Sequence, residues 1–188
     1  MKRWPPVAAA VVALLLLQIA AELGMGRLPF GPDGHFGWWA GNIWSSAQSQ
    51  RVADPYSFTH VVHGLLFYFL LWLVARRVSM RGRYLAAVVV EVAWEILENS
   101  PIIIDRYRAV TIALGYVGDS VVNSVSDVLA MSIGFFIAAR FRPAISIGLV
   151  AAIELGLLLA VRDNLTLNIV MLVHPIEAIR QWQMAAQH

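Results

Sequence analysis

The chain has no cysteine, which excludes disulfide bridges, thiolate metal sites and cysteine nucleophiles but does not locate it in a redox compartment. It has a single lysine, Lys2, against thirteen arginines, and charged residues make up only 14% of its 188 residues. Most of the arginines flank apolar runs, as topology anchors do, so the sequence pI of about 9.3 does not point to nucleic acid as a partner. Complete catalytic signatures are missing as well. There is no Gly-rich phosphate loop, no His-Glu-x-x-His and no serine elbow. What the chain has in quantity is apolar: 59% hydrophobic residues and a mean hydropathy of +0.67. That is the composition of an integral membrane protein, with room for one domain and no separate soluble one.

The apolar runs predict an all-α, polytopic transmembrane helix bundle of about five spans, at residues 5–23, 57–74, 84–104, 119–138 and 144–161. The first run resembles a signal peptide in its Lys2 and Arg3 start, but no small-x-small cleavage site precedes Glu22, so it reads as an uncleaved helix. Residues 24–56, rich in glycine and with Trp38, Trp39 and Trp44, read as an outer loop at a membrane interface. The tail 165–179, interrupted by Asn168, His174 and Pro175, reads as an interfacial or re-entrant helix. Lys2, Arg3, Arg76, Arg77, Arg81, Arg83, Arg140 and Arg142 fall on one side of this arrangement and Arg27, Arg51, Arg106, Arg108, Arg162 and Arg180 on the other, a modest but coherent bias. The positive-inside rule makes the first side cytoplasmic, in a bacterial inner membrane, with the N-terminus inside.

Ionisable residues inside the spans carry the functional signal, since a charge at bilayer depth costs roughly 2.5–3.5 kcal/mol and calls for a partner, a proton or an ion. His60 and His63 are spaced i, i+3; Glu91, Glu95 and Glu98 i, i+4, i+7; Asp119, Asn123 and Asp127 i, i+4, i+8. Each set makes one polar stripe on its helix. At about 1.5 Å per residue, His63 and Glu98 lie about 9 Å deep, Asn123 about 6 Å, and Asp127 about 12 Å, level with Glu95. Three stripes at matched depth predict a cavity open to the outside, with Gly64, Ser120, Ser124, Ser126 and Gly134 letting the helices approach. His60, near its helix start, reads as bonded to interfacial backbone or headgroups, and Glu91 and Glu154 as acids satisfied by neighbouring helices.

Three function classes fit these residues. One is metal-assisted hydrolysis or transfer on a lipid-linked or envelope substrate. Its divalent metal would be held by His63, Glu95, Glu98 and Asp127, with Glu91 or Asp119 as general base and Arg106, Arg108 and Asn123 binding substrate. The second is a proton- or cation-linked transporter whose relay is the same acids; five spans and no inverted repeat are few for one acting alone. The third is a non-catalytic factor binding membrane lipid or a protein partner, its polar network fixing one packing.

Three runs carry a family resemblance: Ser57-Phe58-Thr59-His60-Val61-Val62-His63-Gly64, then Glu91-Val92-Ala93-Trp94-Glu95-Ile96-Leu97-Glu98-Asn99-Ser100-Pro101, and Gly115 through Asp119 to Asn123-Ser124-Val125-Ser126-Asp127. They resemble the bacterial membrane proteins of uncharacterised protein family 0314, or domain of unknown function 2585. The resemblance implies a multi-pass cell-membrane protein and no established activity. A more distant similarity, through Trp94-Glu95, Glu98, Gly118-Asp119 and Asp127, is to VanZ-like inner-membrane proteins. Asp105-Arg106 and Asn123 to Asp127 look faintly similar to lipoprotein signal peptidase motifs. Asn99 is too far from Asp105 for that pattern, however, and the spacing before Asp127 is one residue too long.

Overall fold

The computed structural model describes residues 4–185; Lys2 and Arg3, expected as anchors of the first helix, lie outside the described residues. The architecture is all-helical: α1 (Pro5–Gly24), α2 (Ser57–Val74), α3 (Met80–Glu98), α4 (Pro101–Val110), α5 (Val121–Arg140), α6 (Pro143–Val161), α7 (Leu165–Val173) and α8 (Glu177–Met184). Four of these, α1, α2, α5 and α6, are long and apolar enough to cross a membrane. α3 has the length but carries Arg81, Arg83, Glu91, Glu95 and Glu98, and it packs between α1, α2 and α5.

The bundle is organised on the crossing of α2 and α5, where backbone meets backbone. A Cβ added at Gly64 would come within 1.9 Å of the Met131 carbonyl oxygen, and one at Gly134 within 2.0 Å of the Val61 carbonyl oxygen. Only glycine permits that approach. Around the crossing, Val88, Val92, Val128, Met131 and Phe135 form a core with Tyr84 and Ala87. α6 is peripheral, with only Leu157 buried.

Local chemistry sets the helix ends. Ser79, Ser120 and Asn164 each accept a backbone N–H of the first turn of α3, α5 and α7, satisfying donors that a helix start leaves free. Pro5, Pro101 and Pro143 begin α1, α4 and α6, where a missing N–H has no cost.

Pro101 also corrects the expected span 84–104. A proline disfavours helical backbone in the residue before it and has no N–H to continue the ladder. The chain therefore leaves the helix at Asn99-Ser100 and restarts as α4, which places Asp105, Arg106 and Arg108 on a helix rather than in a loop. The tail likewise divides, at Pro175, into α7 and α8. At nine residues, about 13 Å long, α7 is too short to span a bilayer.

The loop 25–56 caps the outer end of α5: Ser120 N–H donates to Ser49 O, Val121 N–H to Leu28 O, and Asn123 Nδ2 to Arg51 O at 2.9 Å each. Arg51 in turn pairs with Asp33, and the guanidinium holds the Asp33 carboxyl down at about 2.

A candidate His/Glu/Asp centre

The α2, α3 and α5 stripes meet at His60. Its Nδ1 lies 2.7 Å from Glu91 Oε1 and 3.3 Å from Glu95 Oε1, and its Nε2 lies 3.8 Å from Asp127 Oδ2. His63, one turn on, places Nδ1 3.1 Å from both oxygens of Glu91. Glu91 and Glu95 are fully buried, and His60 and Asp127 nearly so. The expected interfacial role of His60 is thus corrected: at the i−3 position from His63 it shares the stripe, and the inward face of α2 carries it into the cluster.

Nδ1 of an imidazole bears at most one proton, and Glu91 at 2.7 Å is placed to take it. Glu95 Oε1 is left with no hydrogen-bond donor, and neither has Asp127 Oδ1, although both oxygens are buried. Orphaned carboxylate oxygens facing imidazoles call for a proton or a cation. Two sets of three residues place ligand atoms within 4.8 Å of one another, His60 with His63 and Glu91, and His60 with Glu95 and Glu98. One imidazole belongs to both.

A second layer ties the cluster to α1, which the sequence reading left apolar. Ser124 Oγ lies 2.6 Å from Glu22 Oε1, 2.6 Å from Glu95 Oε2 and 2.8 Å from Gln18 Nε2. Gln18 and Glu22 are fully buried at i, i+4 spacing, a polar pair in an otherwise apolar run and the one signal that marked them.

Asp119 stands apart from the cluster, ahead of α5. It accepts from Tyr116 Oη at 3.0 Å and Asn99 Nδ2 at 3.2 Å, and its own N–H donates to Asn99 Oδ1 at 2.7 Å. Burial raises its carboxyl to about 6 against these hydrogen bonds. Asn123 lines the cavity but gives its amide to the loop carbonyl of Arg51.

Arg106 and Arg108, expected at the cavity mouth as anion ligands, do not line it. Arg106 donates through Nε and Nη2 to Leu172 O at 3.0 and 2.8 Å, holding α7 on α4, and Arg108 Nε donates to Tyr116 O. Glu154 is also structural. Its carboxylate accepts the Leu165 and Thr166 N–H groups and the Thr166 hydroxyl, capping α7. Asp163 receives Tyr56 Oη at 2.8 Å and Gln183 Nε2 at 3.0 Å, tying α8 to the start of α2; burial raises its carboxyl.

A cavity of about 370 Å³ reaches from the loop 25–56 down between α2, α3 and α7, with His60, His63, Glu98 and Asp127 on its wall.

Fold and site together define a helical protein with four helices apolar enough for a membrane and a histidine–carboxylate cluster beside a cavity. Residues 22–185 match the family described as protein of unknown function DUF2585, and the chain belongs to that family. Bacterial UPF0314 proteins are similar along nearly its whole length. One of Sphingopyxis alaskensis is 51% identical over 94% of this chain and 93% of its own. Others are 49% identical over 97% and 92% in Paracoccus denitrificans, and 47% over 93% and 89% in Rhizobium etli. No solved structure matches the chain.

Proposed function

We propose that this is a multi-pass protein of the bacterial inner membrane, N-terminus cytoplasmic, whose His60-centred cluster binds a divalent cation for hydrolysis or group transfer on an envelope or lipid substrate. The observation that carries this reading is His60 among three carboxylates, two of which keep a buried oxygen without a donor. Imidazole with carboxylate is a donor set for borderline divalent ions, and three protein ligands leave a position for water. His60, His63 and Glu91 would hold the ion, which supplies Lewis acidity and a more acidic bound water. Glu95 and Asp127 would hold and return a proton beside the ion, with Ser124, in contact with Glu22 and Glu95, orienting Glu95.

The orientation rests on charge. The segments 75–83 and 138–144 contain Arg76, Arg77, Arg81, Arg83, Arg140 and Arg142 and no acidic residue. Trp4 lies at the same end, its ring 5.1 Å from the Arg81 guanidinium and 6.2 Å from Phe136. An arginine-rich end suits the cytoplasmic face.

Elemental analysis of protein purified without chelator tests the reading. Near-stoichiometric divalent metal in the wild type is expected, reduced at least tenfold in Glu91→Gln and His63→Gln proteins of unchanged helical content. An empty wild type overturns it. The continuous contacts from Glu22 through Ser124, Glu95 and His60 to Glu91 favour one second reading, a proton relay in a small transporter. Proton flux in proteoliposomes that is lost on Glu95→Gln would select it.

A further inference from the structure

The cavity is chemically two-ended. Its upper wall carries Asp54, Glu98, Asp119, Asp127 and Asp163 with the two histidines, and no arginine or lysine lines it among the described residues. Its lower wall is apolar: Leu66 and Leu70 of α2, Val90 and Trp94 of α3, Ile169 and Leu172 of α7. From His63 to Leu70 the wall descends about 10 Å along α2, and from Glu98 to Val90 about 12 Å along α3. Leu66 is 40% exposed and Leu70 and Val90 are each 50% exposed, so the residues that line the lower cavity also reach the outer surface. The apolar end therefore opens sideways. In a bundle crossing a bilayer, that opening faces acyl chains.

The geometry points to a membrane amphiphile as the occupant, with its alkyl chain in the slot between α2, α3 and α7 and a hydrogen-bond-donating head, hydroxyl or ammonium, against the acidic wall. This names the substrate class of the site proposed above and rests on that reading. Orientation supports it, because a head level with the helix ends and a chain running toward mid-bilayer is the posture of a leaflet lipid. Charge decides the head. A divalent ion on His60, His63 and Glu91 would offset only part of the charge of five acidic side chains, so a phosphate would meet an excess of carboxylates with no guanidinium or ammonium to receive it, whereas a hydroxyl or ammonium donates to a wall on which Asp127 Oδ1 lacks a donor. A volume of about 370 Å³ falls in the range of small-molecule sites.

The test uses three brominated dodecyl probes, an ammonium, a glucoside and a phosphate, added to the full chain in nanodiscs. Trp94 emission is read as the difference between each protein and the same protein carrying Trp94→Phe. The ammonium or the glucoside should quench Trp94 saturably, and Leu70→Trp, which fills the slot, should raise the half-saturating concentration at least tenfold; comparing the two proteins for each probe cancels partition into lipid. The phosphate should show no saturable component. Which of the other two binds more tightly separates an amine head from a polyol head. Quenching that never saturates, or that saturates equally in Leu70→Trp or with the phosphate, overturns the proposal. Metal content of the same samples separates the two ideas: unchanged metal with no slot binding refutes the amphiphile alone, and saturable quenching in metal-free protein refutes the metal centre alone.

Discussion

Ser124 on α5 lies 2.6 Å from Glu95 on α3, and the same hydroxyl oxygen is 2.6 Å from Glu22 on α1. A hydroxyl has one proton to give, so both contacts are hydrogen bonds only when one carboxyl is the neutral acid and donates in return. The serine thus fastens three helices around one shared proton. Ser124→Ala should cost about 1–3 kcal/mol, the range for leaving buried polar groups unpaired, and should lower the thermal midpoint. Glu22→Gln keeps a donor at that position and should stay within about 1 kcal/mol of wild type. Thermal unfolding in mild detergent checks both.

The glycine crossing predicts a sharp contrast between positions. Gly64→Ala or Gly134→Ala forces a Cβ to about 2 Å from a main-chain oxygen. The cost should reach or exceed the upper end of the roughly 1–3 kcal/mol seen for overpacking, because backbone cannot step aside. Gly148, on α6, has nothing within 4 Å of an added Cβ. Gly148→Ala should be neutral or more stable by up to about 1 kcal/mol from helix propensity. Folded yield and midpoint of the three variants decide the matter.

Asp119 makes stability depend on pH in a defined direction. Its carboxyl, raised by burial to about 6, binds a proton in the folded state over a range where the unfolded chain, at 3.8, has released it. The Asp119 contribution to folded stability therefore falls as pH rises from about 4 to 6 and levels above that. Asp33 acts oppositely. Held at about 2 by Arg51, it contributes above its unfolded value of 3.8, and that contribution is lost as pH falls through about 2. A thermal midpoint series from pH 4 to 7 should slope downward in the wild type and less steeply in Asp119→Asn, with Asp163, also raised by burial, keeping part of the slope.

Arg106 should behave as a fastener of the tail. Arg106→Ala removes both donors to Leu172 O and should raise hydrogen exchange in residues 165–173 while leaving metal content unchanged. Loss of metal with an unaltered tail would return Arg106 to the site.

The stripes on α2, α3 and α5 were legible from periodicity alone, because a carboxylate in an apolar helix has few places to face. His60 was not, since position near a helix start does not say which way the first turn points. Gln18 and Glu22 were hidden by the apolar residues around them, although their i, i+4 spacing was the same signal read correctly on α3. The end of α3 was written in Asn99-Ser100-Pro101, but a continuous hydropathy run masks a break that keeps its apolar character on both sides. What Arg106 and Arg108 bind could not be read at all. Their partners, at Leu172 and Tyr116, depend on how α7 and the segment after α4 dock.

The most direct test of the cation centre is X-ray absorption at the metal edge of zinc-loaded protein, beside His60→Gln and an exposed-histidine control, His174→Gln. The account predicts a first shell of nitrogen and oxygen at about 2.0–2.2 Å with imidazole scattering, weakened in His60→Gln and unchanged in His174→Gln. A shell without imidazole, or one that His60→Gln leaves intact, would contradict it.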